Sequence, residues 1–484
     1  MQPVDVVVIG SGPNGLAAAL RLASAGVSVR VLEAAATPGG GMRSAQLTLD
    51  GFVHDVCSAC HPMGVLSPYL RTLPLADHGL RWVFPEISVA HPLPGRPAAL
   101  LGGTVDATAA GLGVDGAAYR SLLDPLVRDG EALFEGALAP LGLPRSPLVM
   151  ARFGTVAWRS AVGLARRFRD DPARALVAGC AAHATQPLEN PLTAAMALVF
   201  LVAAHRSPWP VVEGGTGQLA RAMVRLLEAR GGEVLCGQRV TDLRDLPPCR
   251  AVLFDTSPDQ LASLGGPWLP ERYTAALRRF RYGPGAFKLD WALDGPIPWA
   301  DPSVGRAVTV HLGGTLESIA AHERAVFAGR HTDDPYVLLV QQSAVDPTRA
   351  PAGKHTGYAY IHVPHGSTRD ATDLIEAQVE RAAPGFRDLI LARHVTTPAD
   401  FHAYDANYVG GAVTGGVADA AQLFTRPVAR LDPYSTPSPR LFIGSASTPP
   451  GGGVHGMCGY HAAGSILGRL GSLDARSPSA WGSP

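Results

Sequence analysis

Lysine is almost missing from this 484-residue chain. Only Lys288 and Lys354 occur among 41 basic residues, and arginine fills the other 39 positions, a bias that reads as the mark of a GC-rich genome. The 41 acidic residues cancel the basic ones, and no basic run occurs. That argues against nucleic acid as the main partner. Cysteine is scarce too: six residues, scattered apart from Cys57 and Cys60, which suits a reducing cytoplasm. Long apolar runs are absent. The longest, residues 192–204, has thirteen residues, too few to span a bilayer. It reads as a buried helix, with the lining of an apolar substrate tunnel or a membrane-dipping face as alternatives. No basic n-region precedes the first apolar run, so no secretory leader is expected. The expected location is cytoplasmic, with a place peripheral to the inner membrane as the alternative.

What is present points to a mixed α/β protein. Hydrophobic residues make up 46% and charged ones 17%, with 55 Gly and 42 Pro. Such a chain has ample core for two or three domains and many turns.

The most informative stretch is residues 4–33. An apolar run ends at Ile9 and reads as a strand buried on both faces. Gly10-Ser11-Gly12-Pro13-Asn14-Gly15 follows. A helix over 16–25, stopped by Gly26, and a second strand over 27–32 lead to Glu33. Strand, glycine turn, helix, strand and acid together give a G-x-G-x-x-G its nucleotide-binding context. Gly10 makes the tight turn, Gly12 lets backbone approach a pyrophosphate, and Gly15 lets helix and strand pack closely. The helix N-terminus favours phosphate, and Glu33 can accept from both ribose hydroxyls.

Ala34 and the segment Gly39-Gly40-Gly41-Met42-Arg43 come next, where glycines let backbone pass close to a flat ligand and Arg43 can pair with a pyrophosphate. Cys57 and Cys60, flanked by His54 and His61, allow three readings: a redox dithiol, a zinc site, or a small-residue loop beside a cofactor. The loop is expected, and no metal. Residues 66–211 read as mostly helical, with candidates at 117–126, 130–138, 161–169, 172–184 and 191–205. A helix from 217 to 229 and strands at 233–235 and 251–255 return the chain to a nucleotide domain. No second G-x-G-x-x-G heads a βαβ unit, so a separate NAD(P)H domain is not expected. Residues 282–293 alternate, with Phe287, Leu289, Trp291 and Leu293 on one face and Lys288 and Asp290 on the other. This reads as a half-exposed sheet with a salt bridge, or as a polar pair above a cofactor. Residues 403–416, with Asn407, Tyr408 and a glycine pair, read as a loop near the active site. A strand ending at Gly444, then Ser445, the glycine loop through Gly453, Val454 and His455, and a helix to about Leu470 complete the ordered chain. The tail from 471 reads as disordered.

These blocks resemble the FAD-dependent phytoene desaturase and carotenoid oxygenase-like family, and within it the subgroup similar to pyridine nucleotide-disulfide oxidoreductase domain-containing 2 proteins. The resemblance rests on Gly10 to Gly15, Gly39 to Arg43, His54 to Pro62, Tyr282 to Trp299, Asn407 to Gly416, and Ser445 to Ala463. It implies an α/β fold: a Rossmann-like (GR2-type) FAD-binding domain, residues 1–75, 212–265 and 435–470. An inserted α+β substrate domain would take 76–211, its helical part, and 266–434, its mixed sheet. It also implies that the position of Val240 meets the adenine through its backbone. The cofactor set is then Gly10, Ser11, Gly12, Pro13, Asn14, Gly15, Glu33, Ala34, Gly40, Gly41, Met42, Arg43, Val240, Gly444, Ser445, Gly453, Val454 and His455. The implied reaction is hydride removal from a C–H bond of an apolar, isoprenoid-like substrate to flavin N5, with electrons passing to oxygen or a quinone. His61, Lys288, Asp290 and His455 are the candidate catalytic side chains. An amine oxidase or other oxidase, a redox-neutral flavin isomerase and a non-catalytic flavoprotein are the alternatives.

Overall fold

The computed structural model describes residues 2–471, so all but the first residue of the expected tail lies outside the described residues. Five strands form a parallel sheet in the order Leu441–Ile443, Ala251–Phe254, Val6–Ile9, Val29–Leu32, Glu233–Leu235. Distant parts of the chain meet here, as a cofactor domain assembled from separated segments requires. The four strands from Leu441–Ile443 to Val29–Leu32 are almost wholly apolar and buried, and only the edge strand Glu233–Leu235 is partly exposed, the pattern of a parallel sheet covered by helices. On one face Leu16, Leu20, Met223, Leu227 and Ile466 interlock three helices, Pro13–Ser24, Gly217–Ala229 and Met457–Leu470. The first of these begins three residues before the expected start. Pro13 holds the helix-compatible φ at a position where its missing N–H is no loss.

The second sheet has seven strands, ordered Ile390–Thr396, Gly285–Leu293, His355–Val363, Val337–Val340, Ala307–Leu312, Ile87–Leu93, Arg96–Leu101. Gly285–Leu293 is buried at every position, so the half-exposed sheet expected there is covered on both sides. One face carries Phe287, Leu289, Trp291, Ile361 and Leu339 and packs against Ile375, Val379 and Phe386. The other face is polar. Register across the strands lines up Lys288, Tyr360, Leu338 and His311 in one row and Asp290, Tyr358, Val340 and Thr309 in the next. Because side chains alternate along each strand, both rows face the same way, toward the insertion.

That insertion is less helical than expected. Helices Gly116–Arg128, Gly130–Ala137, Pro147–Ala157, Asp171–Ala182 and Thr193–Arg206 build one core, but Ile87–Leu93 and Arg96–Leu101 form a hairpin joined to the seven-stranded sheet. Pro92 and Pro97 hid it. Pro92 falls where the hairpin register shifts, and Pro97 lies on the edge strand, the two places where a sheet tolerates proline. No helix among the described residues is long and apolar enough to cross a membrane.

Candidate active site

A cavity of about 600 Å³ runs between the C-terminal ends of the parallel sheet and the polar face of the mixed sheet. Its nucleotide end is bare backbone. Gly10, at φ +99°, turns the chain, and a Cβ there would stand 2.7 Å from the Asp255 carbonyl oxygen. A Cβ on Gly15 would lie 2.2 Å from the Gly10 oxygen, and one on Gly12 2.7 Å from Asp255 Oδ2. Only glycine lets these three segments touch. A Cβ on Gly40 would stand 3.1 Å from the Gly12 Cα. At the end of its strand, Glu33 accepts from Ser11 N at 3.0 Å, from Ser11 Oγ at 2.5 Å and from Ala35 N at 2.8 Å. Arg43 pairs with Glu33 at 3.0 Å and donates to Thr37 O.

The residues fit the adenosine and pyrophosphate of FAD. Two buried oxygens in the wall, Asn14 Oδ1 and Thr256 Oγ1, have no hydrogen-bond partner, which marks a place for a polar ligand. Asp255 accepts from Gly15 N at 2.7 Å. Burial pushes its carboxyl well above the usual range, against that hydrogen bond, and burial raises Asp405 as well.

The loop over 403–416 closes this end. Tyr404 donates to Gly40 O at 2.8 Å, and Asn407 Oδ1 accepts from Ser257 N at 2.7 Å. Tyr408 places its hydroxyl 2.4 Å from where a Gly41 Cβ would be, which explains the third glycine of that run. From the C-terminal segment Ser445, Ala446, Ser447, Gly453 and Val454 line the wall. Behind it Arg426, 2% exposed, donates to the carbonyls of Gly415, Ala446 and Ser447.

The four candidate catalytic side chains separate. His61 and Lys288 line the cavity; Asp290 and His455 do not. Thr216 Oγ1 gives its proton to Ser58 O, so it accepts from His61 Nε2–H at 2.9 Å. That tautomer leaves His61 Nδ1 a bare acceptor, and the atom has no partner. Burial pulls His61 down to about 4, so the ring is neutral. Lys288 Nζ donates to Asp55 O at 3.0 Å and to Asp290, and lies 4.6 Å from the centre of the Tyr358 ring. Asp290 thus stands behind Lys288, its carboxyl pushed up by burial against the pull of that lysine. His455 caps the last helix, accepting from Met457 N at 3.0 Å through Nδ1.

Of the expected cofactor residues, Gly15, Met42, Gly444 and His455 lie behind the wall, and the other fourteen line it. Gly444 owes its identity to packing, since a Cβ would stand 2.7 Å from that of Ala462. Cys57 and Cys60 are free thiols that burial pushes up to about 11 and about 12, which rules out a thiolate at neutral pH. No group of metal-ligating side chains occurs among the described residues.

Several lining residues went unread in the sequence: His183 and Trp209 from the insertion, and Thr309, Leu338, Val340, Tyr358 and Tyr360 from the sheet; Phe200, which also lines the cavity, falls in the run 192–204 that had tunnel lining as an alternative. The alternation of Tyr358, Tyr360 and His362 was the available signal.

The chain is similar to several known proteins. Residues 8–73 match the family model of the NAD(P)-binding Rossmann-like domain. The chain is 26% identical to pyridine nucleotide-disulfide oxidoreductase domain-containing protein 2 of Rattus norvegicus, over 95% of this chain and 92% of the relative. A lycopene-forming phytoene desaturase of Pseudescherichia vulneris is 27% identical over 62% of this chain and 64% of its own. Among solved structures, a putrescine oxidase superposes with a TM-score of 0.62 at 18% identity, covering 96% of this chain and 99% of its own, so the fold is shared.

Proposed function

We propose a dehydrogenation for this chain, which is an FAD-dependent oxidoreductase related to the phytoene desaturases. A hydride leaves a C–H bond of an apolar small molecule, a proton leaves the neighbouring carbon, and a double bond remains. When bound, FAD supplies the hydride acceptor at its flavin N5. The two electrons pass on to oxygen or a quinone.

One observation carries the reading. The cavity is continuous from the glycine turn to a chamber walled by Phe200, Trp209, Leu338, Val340, Tyr358 and Tyr360, so one ligand at each end can meet in the middle. At the nucleotide end Glu33 would hold the ribose hydroxyls, the Gly12 backbone the pyrophosphate and the Val240 backbone the adenine. Ser445, Gly453 and Val454 supply the opposite wall. In the chamber the protein orients the substrate and excludes water, which is most of what such a step needs from it. His61 accepts at Nδ1 the proton that leaves the neighbouring carbon; burial keeps that lone pair free across physiological pH. Lys288, held by Asp55 O and Asp290, positions the reacting carbon.

The test is the visible spectrum of the purified protein, repeated on the supernatant after denaturation, followed by anaerobic flavin bleaching with apolar substrates. A flavin released on denaturation and bleached by an apolar substrate is expected. Absence of flavin, with no binding of added FAD, overturns the reading. Amine oxidation is the second reading, favoured by the Tyr358 and Tyr360 rings, whose centres are 6.1 Å apart; bleaching by amines with fast reoxidation in air would support it.

A further inference from the structure

We infer that the cavity wall built by the insertion binds a neutral oxygen, a hydroxyl or carbonyl, through Trp209 and His183. The substrate is then an oxygenated apolar molecule, and neither a plain hydrocarbon nor an amine. This rests on the chamber being substrate space, as proposed above.

The argument starts from hydrogen bonds left unmade. Trp209 is 1% exposed and lines the cavity, yet its Nε1–H has no partner. Beside it stands His183, at the end of helix Asp171–Ala182, also in the cavity wall, with ring centres 6.0 Å apart. His183 Nε2 lies 3.4 Å from His311 Nε2, and His311 is fully buried with Nδ1 unpaired. His91 follows. Its Nε2–H donates to Gly314 O at 2.8 Å, which leaves Nδ1 bare, and that atom too lacks a partner. The helix can lie this close only because Gly179 has no Cβ; one would stand 2.3 Å from His311 Nδ1.

Buried polar groups are ordinarily paired, and an unpaired one is destabilising. Of these residues Trp209 and His183 line the cavity, and the unpaired Trp209 N–H calls for a partner there. A hydrocarbon would leave the Trp209 N–H unsatisfied. An ammonium would need a carboxylate, and the carboxylates in the wall, Glu33, Asp255 and Asp405, belong to the glycine turn, its acid and the loop that closes the nucleotide end. A neutral oxygen accepts from Trp209. A hydroxyl also pairs with His183 in either tautomer, because the His183–His311 contact can hold its proton on either ring.

The experiment titrates the FAD-loaded protein with a matched trio: geraniol, its hydrocarbon 2,6-dimethylocta-2,6-diene, and geranylamine. Perturbation of the flavin absorption band reports binding without turnover. Geraniol should bind at least tenfold more tightly than the hydrocarbon. Trp209→Phe and His183→Phe should each erase most of that preference, read as the ratio of geraniol to hydrocarbon affinity within each variant. Equal binding of geraniol and hydrocarbon overturns the inference while the apolar chamber stands. Tightest binding of geranylamine overturns it in favour of an amine. If none of the three perturbs the flavin, the chamber reading falls with it. The ranking in the unaltered protein needs no variant, so a variant that fails to fold does not blunt the test.

Discussion

The cavity has two walls made in opposite ways. The nucleotide wall is backbone: Gly10, Gly12 and Gly40 line it with Gly15 packed behind, and a Cβ on any of the four would come within 3.1 Å of a neighbouring atom. The substrate wall is side chain: Lys288, Tyr358, Tyr360 and Thr309 from neighbouring strands, with His183, Phe200 and Trp209 from the insertion above. The first wall tolerates no added atoms. The second is a set of buried polar groups, so it tolerates size better than charge. The difference teaches where each wall is fragile: one to volume, the other to protonation and broken pairs.

Acid should give the largest effect, and it should act on the side-chain wall. Burial pulls His54 and His183 down to about 3, His61 and His91 down to about 4, and His311 well below its ordinary value. A histidine whose folded pKa lies below its unfolded value is stabilising to keep neutral only above that unfolded value, near 6.5. As pH falls from there toward 4 the unfolded chain gains protons that the folded one refuses. Each such group removes up to about 1.4 kcal/mol of stability per pH unit. Asp255 and Asp405 run the other way, since raised carboxyls are easier to keep buried as pH falls. Urea melts at pH 7 and pH 5 should therefore show a loss of several kcal/mol. An unchanged midpoint would mean that these histidines reach water.

Breaking a pair comes next. Arg349 is fully buried, bonded to Asp55 Oδ2 at 2.9 Å, Asp346 Oδ2 at 2.7 Å and Val212 O at 2.9 Å. Asp55 in turn accepts at 2.7 Å from the N–H of Thr216, the same residue whose hydroxyl meets His61 and sets its tautomer. Arg349→Met leaves two carboxylates buried without their cation and should cost about 3–5 kcal/mol, read from thermal or urea unfolding. Burial raises the Asp55 carboxyl, but Arg349, together with the hydrogen bonds from Thr216 N and Ser44, holds the net value below the ordinary one. The stability from that pair is therefore full above about pH 4 and lost below it, so the variant's deficit should shrink in acid. A deficit that persists below that range would show that packing, and not the ion pair, is what the arginine supplies.

Volume is the way to break the backbone wall. Gly15→Ala puts a Cβ 2.2 Å from the Gly10 oxygen, a backbone atom that cannot swing aside. A cost of about 1–3 kcal/mol is expected, together with loss of FAD retention on gel filtration. Gly12→Ala meets only the end of the Asp255 side chain and should be the milder of the two. Equal behaviour of the two variants would mean that the turn yields as a unit.

The two walls also differ in how far they could be read ahead of the fold. Gly10, Gly12, Gly15 and Glu33 lie within 24 residues of one another, and their spacing is itself the geometry of a strand, a turn and a helix. Tyr358 and Thr309 are 49 residues apart, and they meet only through the strand Val337–Val340 between them. Alternation tells which residues share a face of one strand, but not which strands become neighbours. The hairpin at 87–101 shows the same limit from another side. Its prolines read as breakers until the edge and the register shift that accommodate them are known. His183 was hidden differently: it is the residue at which a helix ends, and only the docking of that helix on the sheet turns it toward the chamber.

Cys57 and Cys60 sit at the seam between the walls and sharpen the contrast at its smallest scale. Cys57 lies 3.8 Å from where a Gly41 Cβ would be, on the backbone side, and Cys60 Sγ is 3.4 Å from Thr309 Oγ1, on the side-chain side. Their C-x-x-C spacing invites a dithiol role, but burial raises both thiols to about 11 and about 12. At pH 8 almost none of either is thiolate, and the thiolate is the reactive form. Each therefore acts as a small apolar filler. Cys57→Ser and Cys60→Ser should shift stability by about 1 kcal/mol, leave flavin content unchanged and alter the rate of flavin bleaching by less than about twofold. The folded protein should resist thiol reagents at pH 8 until denaturant is added. Rapid labelling of either cysteine in the native state would place a solvated, reactive thiol at the seam, and the dithiol reading would then regain its claim on the chemistry.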